Sequence, residues 1–122
     1  MEAIYVVGVG MTPFGRLLDK DIKTLTREAT QAALADAGLH YEDLQAVFFG
    51  NASQGHMDGQ HMIRGQVALR AMGIGRIPVV NVENACASGS TAFSLAAAQL
   101  RAGAADVALA VGAEKMFSTD KQ

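Results

Sequence analysis

Residues 79–103 read VVNVENACASGSTAFSLAAAQLRAG. The opening Val79–Val82 is a valine-rich run suited to a strand. From Ser88 the composition changes to an alanine-rich helix former that stops at Gly103. Between the two lies a tight turn of small residues holding Cys86, the only cysteine in the chain. A strand that turns straight into a helix is the first half of a β–α–β unit, so this stretch sets the fold class.

The same alternation extends outward. Ala3–Val9 is an apolar, β-branched run that reads as a buried strand. Gly10, Pro13 and Gly15 mark a loop. A helix is expected from Ile22 to Ala37, with Ile22, Leu25, Ala29, Ala32, Ala33 and Ala37 on its inward face. Asp21 suits its N-cap and Gly38 its C-terminal stop. Tyr41–Leu44 can form a helical turn, and Ala46–Phe49 reads as the next strand. Asn51–Gly59 reads as a polar loop, Gln60–Met72 as a helix stopped by Gly73, and Val107–Val111 as the last strand. The order β–α–β–α–β–α–β predicts one α/β unit with a mostly parallel sheet and helices on its faces. The helix from Ser88 to Ala102 is apolar around its whole circumference, and its only charge is Arg101 in the last turn. Such a helix is buried on all sides. A lone four-stranded unit would leave one of its faces wet, so more chain or another subunit is expected to cover it.

The bulk properties narrow the classes. The chain has 122 residues, half of them apolar and 18% charged, with a formal net charge of −2. That is enough for one folded unit with a core. No basic block points to nucleic acid or to an anionic membrane. One cysteine cannot form an internal disulfide, no apolar run is long enough to span a bilayer, and MEAIYVVGVG lacks a basic region. A soluble, cytoplasmic protein is expected.

Cys86 has two readings on residues alone. Free cysteine is often a small buried hydrophobe. Here, though, a helix begins just after the thiol, and the positive end of a helix dipole favours a thiolate nucleophile. Ala85, Ala87, Ser88 and Gly89 are small enough to admit a carbonyl beside the sulfur and nearby N–H groups, as an oxyanion site requires. Asn84 and Ser88 can satisfy backbone groups of the turn. His56 and His61 flank Asp58, but no standard metal spacing or third ligand accompanies them, so they read as loop histidines, and no metal is expected. Gly8 and Gly10 do not open a dinucleotide site, because position 13 is Pro13 and no helix follows at once.

Asn84-Ala85-Cys86-Ala87-Ser88-Gly89-Ser90 resembles the nucleophile motif of the thiolases. Val7–Gly15 is similar to the opening of their sterol-carrier-protein-type branch. Gly50-Asn51 with Gly65–Leu69, and Gly112–Met116, resemble the segments that flank the nucleophile. The resemblance covers nearly the whole chain in family order. It implies a layered α/β thiolase-like fold, here an incomplete N-terminal half. It also implies acyl transfer through a Cys86 thioester, with no bound cofactor and with a coenzyme A thioester as substrate. The expected direction is either thiolytic cleavage of a 3-ketoacyl-CoA or Claisen condensation. Strand order 3-2-1-4-5 and a dimer contact through Val79–Val82 follow from the same resemblance. So does partnership with a second copy, as a homodimer or tetramer, or with the remaining thiolase half.

A full thiolase is far longer. The resemblance puts the activating histidine and the second, acid–base cysteine in segments absent from these residues. The chain is therefore expected to be a fragment, a truncated product or one piece of a multi-chain enzyme, inactive alone. Two rivals remain from the same resemblance: a condensing enzyme of the ketoacyl synthase or hydroxymethylglutaryl-CoA synthase type, and a non-catalytic thiolase-like scaffold.

Overall fold

The computed structural model describes residues 2–117. Helix α1 (Ile22–Ala37) leads through a single 3-10 turn (Tyr41–Asp43) into β1 (Ala46–Gly50). Helices α2 (Gln54–Asp58) and α3 (Arg64–Arg70) precede β2 (Val79–Val82), and α4 (Ser88–Arg101) precedes β3 (Ala108–Gly112). Among the described residues the sheet has three strands in the order β2-β1-β3, and both pairings are parallel.

β1 is central because its composition lets it be buried on both faces. All five of its residues are buried, and alternate side chains feed opposite layers. Val47 and Phe49 join Ile22 and Leu34 of α1 and Ala68 and Leu69 of α3 in one cluster. Ala46 and Phe48 join Val82 and α4's Ala92 and Ala96 in the other. So α1 and α3 cover one face and α4 the other, as the alternation predicts.

Helix α1 begins and ends where its caps place it. The Asp21 carboxylate accepts from the Thr24 backbone N–H at 2.8 Å, and Gly38 takes the left-handed conformation at φ 70°. The buried face is rotated from the expected one. Thr26 and Thr30 lie inward with Leu34, whereas Ala32 is exposed. The Thr26 and Thr30 hydroxyls are buried without a hydrogen-bond partner.

Four expectations need correction. Ala3–Val9 is extended but pairs with nothing in the sheet, and Tyr5, Val6, Val7 and Val9 are exposed. The place that order 3-2-1-4-5 reserves for it is closed, because β1 pairs directly with β3 over five positions. The segment instead lies on α1. Val9 N–H donates to Asp36 at 2.9 Å, and a Cβ at Gly8 or Gly10 would collide with the α1 backbone at Ala33 or Ala29. The loop Asn51–Gly59 contains the short helix α2, whose Gln54 N–H is taken by the Asn51 side chain at 3.1 Å. The helix expected over Gln60–Met72 is shorter, since Ile63 sits at φ 45° and breaks its first turn. Last, the third strand is shifted by one residue relative to Val107–Val111.

Replacing either orphan hydroxyl by a methyl removes a desolvation penalty, so Thr26→Val and Thr30→Val are each expected to stabilise by about 1 kcal/mol in urea denaturation. Asp21→Ala should cost about 1 kcal/mol near neutral pH. The Thr24 N–H bond lowers the Asp21 carboxyl below its ordinary value, so this stabilisation is present above the unfolded carboxyl range. It is lost as pH falls through the lowered folded value, and the difference between wild type and Asp21→Ala should narrow in acid.

Candidate active site

The parallel strands all deliver their C-terminal ends to one edge of the sheet, the edge where open α/β sheets place their sites. Asn51 leaves β1 there, Ala113 and Glu114 leave β3, and β2 runs into the Cys86 turn. Cys86 is exposed in this chain. It lies two residues before the first helical residue of α4.

The turn is held by its own short polar side chains. Asn84 N–H donates to the Ser88 hydroxyl at 2.8 Å, and that hydroxyl donates to the Ala85 carbonyl at 2.7 Å. Ala85 N–H donates to the Glu83 carboxylate at 2.6 Å. Ser88 therefore satisfies backbone groups as its residue type predicts, whereas the Asn84 side chain reaches the Thr91 hydroxyl instead, at 3.0 Å. Ala85 is held at φ 47°, a left-handed conformation that costs a non-glycine residue about 1 kcal/mol. Helix α4 has no side-chain cap; its Ser88 N–H donates to the Ala85 carbonyl at 3.2 Å, which leaves Gly89 and Ser90 as the first-turn N–H groups not taken by the turn.

Glycines bring this turn down onto the sheet. A Cβ at Gly50 would lie 2.8 Å from the Ser88 carbonyl oxygen and 3.2 Å from the Gly89 nitrogen. At Gly112 it would lie 3.8 Å from the Gly89 Cα. The sharpest approach is at Gly50, where only hydrogen fits between strand and helix.

A polar network lies beside the turn, and composition alone does not single it out. Buried Asn51 donates to the Ala113 carbonyl at 2.6 Å and accepts from Arg64 at 3.0 Å. The Glu114 carboxylate accepts from the Ala52 and Ser53 N–H groups. Asn81 on β2 accepts from Gly65 N–H at 2.6 Å and donates to Gln66. A cavity of about 290 Å³ lined by Asn51, His61, Arg64, Asn81 and Glu83 opens next to these groups. The only sequence signal for the network is that Gly50-Asn51 and Glu114 fall inside the segments that carry the family resemblance.

His61 lines that cavity, His56 is in α2, and His40 precedes the turn that leads into β1. Both His56 and His61 are exposed.

Comparison with known proteins is consistent with this geometry. Residues 4–122 match the family described as thiolase, N-terminal domain. An acetyl-CoA acetyltransferase of Methanocaldococcus jannaschii is 39% identical over 116 residues, which is 95% of this chain and 29% of that protein. Sterol carrier protein 2 of Bos taurus is 38% identical over 93% of this chain and 20% of its own length. The chain thus spans less than a third of these curated relatives. Among solved structures, the "Ltp2-ChsH2(DUF35) aldolase" superposes with a TM-score of 0.63 at 25% identity, covering 95% of this chain and 29% of that one. The 3-oxoacyl-[acyl-carrier-protein] synthase III of Aquifex aeolicus superposes with a TM-score of 0.66 over 80% of this chain and 31% of that one. Its 18% identity makes that a likeness of fold alone.

Because the Gly50 contact is with backbone, which cannot rotate away, Gly50→Ala is expected to destabilise by about 1–3 kcal/mol in chemical denaturation. Gly89→Ala meets no neighbouring atom within 4 Å at a backbone conformation that any residue adopts, and is the control for adding a methyl without a clash.

Proposed function

The chain belongs to the thiolase family through its N-terminal domain, and on that premise we propose that Cys86 is the acyl-accepting nucleophile of a thiolase-type acyl-CoA acyltransferase. The observation that carries this reading is the setting of Cys86. The sole cysteine of the chain is exposed in a strained turn at the C-terminal edge of the sheet, just ahead of an uncapped helix. Backbone strain of this kind persists where surrounding structure over-determines it, and it is concentrated at functional sites.

In the proposed step the Cys86 thiolate adds to the thioester carbonyl of an acyl-CoA. The bond between that carbonyl and the coenzyme A sulfur breaks, and coenzyme A leaves as its thiolate and takes up a proton. The acyl group stays on Cys86 as a new thioester. Since Ala87 and Ser88 N–H are taken within the turn, the Gly89 and Ser90 N–H groups are the α4 donors left for the developing oxyanion. Onward transfer, to coenzyme A or to an acetyl-CoA carbanion, needs an acid–base pair. The resemblance assigns that pair, and with it the histidine that activates Cys86 for the first step, to the remaining half of the enzyme, so completion by that half is part of the proposal and of its test.

The outer face of α4 supports the need for completion. Phe93 is 56% exposed and Leu95 40%, on a helix that carries a single charge. A second subunit or further chain would cover them, and β2 offers an open edge for a second copy. A condensing enzyme of the ketoacyl synthase type shares the fold, as the synthase III likeness shows. The sequence relatives favour the thiolase reading. No helix among the described residues is long and apolar enough to cross a membrane.

With the remaining half present, incubation with acetyl-CoA or acetoacetyl-CoA, followed by intact mass spectrometry of this chain, is expected to show one acyl adduct that is abolished in Cys86→Ala. An adduct that survives this substitution overturns the assignment of Cys86. Transfer from acyl carrier protein but not from coenzyme A would move the reading to the condensing enzymes.

A further inference from the structure

We propose that Glu114 is a positioning residue for the Cys86 turn. Glu114 follows β3 and reaches the chain that leaves β1, where its carboxylate accepts from Ala52 N–H, Ser53 N–H and the Ser53 hydroxyl. Arg64 holds the same stretch from its carbonyl side. Its Nη1 donates to the Asn51 carbonyl at 3.3 Å and to the Asn51 side chain at 3.0 Å. The two charges do not pair with each other, for the one ion pair among the described residues is Lys20–Glu28. Each takes the peptide groups of matching polarity instead: N–H groups face the carboxylate, and carbonyls face the guanidinium. An exposed carboxylate in an ordinary surface pair contributes little. Three donors converging on one carboxylate make charge-assisted bonds of a stronger kind.

What this clamp holds lies on both sides of Cys86. Asn51 N–H donates to the carbonyl of Val82 at 3.1 Å, and Val82 is the last residue of β2 before the turn. The preceding residue, Gly50, lies against Ser88 and Gly89, the first residues of α4. Since α4 has no side-chain cap, its first turn is seated on the sheet through that contact. A shift of residues 51–53 is therefore passed to Val82 ahead of the thiol and to Ser88 behind it. The functional meaning of this role rests on the reading of Cys86 as the acyl acceptor, but the mechanical claim does not.

The test uses the chain with its single thiol. Glu114→Gln keeps the shape of the side chain but presents an amide NH₂ where the carboxylate presents an acceptor. Amide hydrogen exchange across Asn84–Gly89 is expected to accelerate roughly tenfold, while exchange in α1 stays at the wild-type rate. Cys86 alkylation by iodoacetamide is expected to move toward the rate of the unfolded chain. Ser53→Ala removes one of the three donors and should produce a smaller change in the same direction; it decides the question if Glu114→Gln does not fold. Wild-type exchange across Asn84–Gly89 in the folded variants overturns the proposal, even if Ala52 and Ser53 exchange faster. Whether wild-type Cys86 alkylates faster than a free-thiol standard is a separate readout. A rate equal to the standard counts against the nucleophile reading and leaves the exchange result to decide on Glu114.

Discussion

The contact on which the arrangement depends is the approach of the α4 N-terminus to the end of β1. Gly50 leaves room for hydrogen only between strand and helix, and Gly112 flanks the same point from β3. A parallel sheet brings its strand ends to one edge, but it does not by itself press a helix onto that edge. The absence of side chains at these positions does that. It also explains why the inward face of α4 is alanine: Ala92 and Ala96 let the helix axis stay close to the sheet along the length that follows. The thiol is thereby carried on backbone whose position is set by packing from below.

The layers on the two sides of β1 are built differently. On the α1–α3 side, large residues such as Phe49, Leu69 and Leu34 interlock, and the core resembles that of an ordinary small domain. On the α4 side the contact is made of alanines and the sheet, and the helix turns phenylalanine and leucine outward. One face is finished and the other is half of an interior. The polar network of Asn51, Arg64 and Glu114 gathers at the sheet edge where the two layers meet, and there it ties the strand ends to the starts of α2 and α3.

Much of this architecture is readable from residue type. The caps of α1, the limits of β2 and α4 and the central burial of β1 follow from local chemistry: an acceptor at Asp21, left-handed glycines, and an apolar run too short for a helix. The apolar girth of α4 announces its uncovered face. Position in the sheet is less accessible. Ala3–Val9 has every local mark of a buried strand, yet strand pairing depends on which edges are open, and β1 has both of its edges taken. The inward turn of Thr26 and Thr30 is hidden for a related reason, since periodicity ranks hydroxyls below alanines when packing prefers their shape. Cys86 stands out through its uniqueness and its neighbours. Glu114 does not, because a surface glutamate after a strand looks like any other until its three donors are seen.

Among the described residues the sheet has β2 and β3 at its margins, and each presents one row of backbone donors and acceptors that no other strand there takes. Natural proteins blunt such margins with charge, proline or a covering element. On β2, Pro78 stands at the entrance and the Gln66 side chain takes the Val79 carbonyl at 3.0 Å, so this margin is blunted only at its start. Taken out of whatever assembly surrounds it, this chain is a template for its own stacking. Its behaviour in solution should be governed by concentration as much as by the stability of the fold.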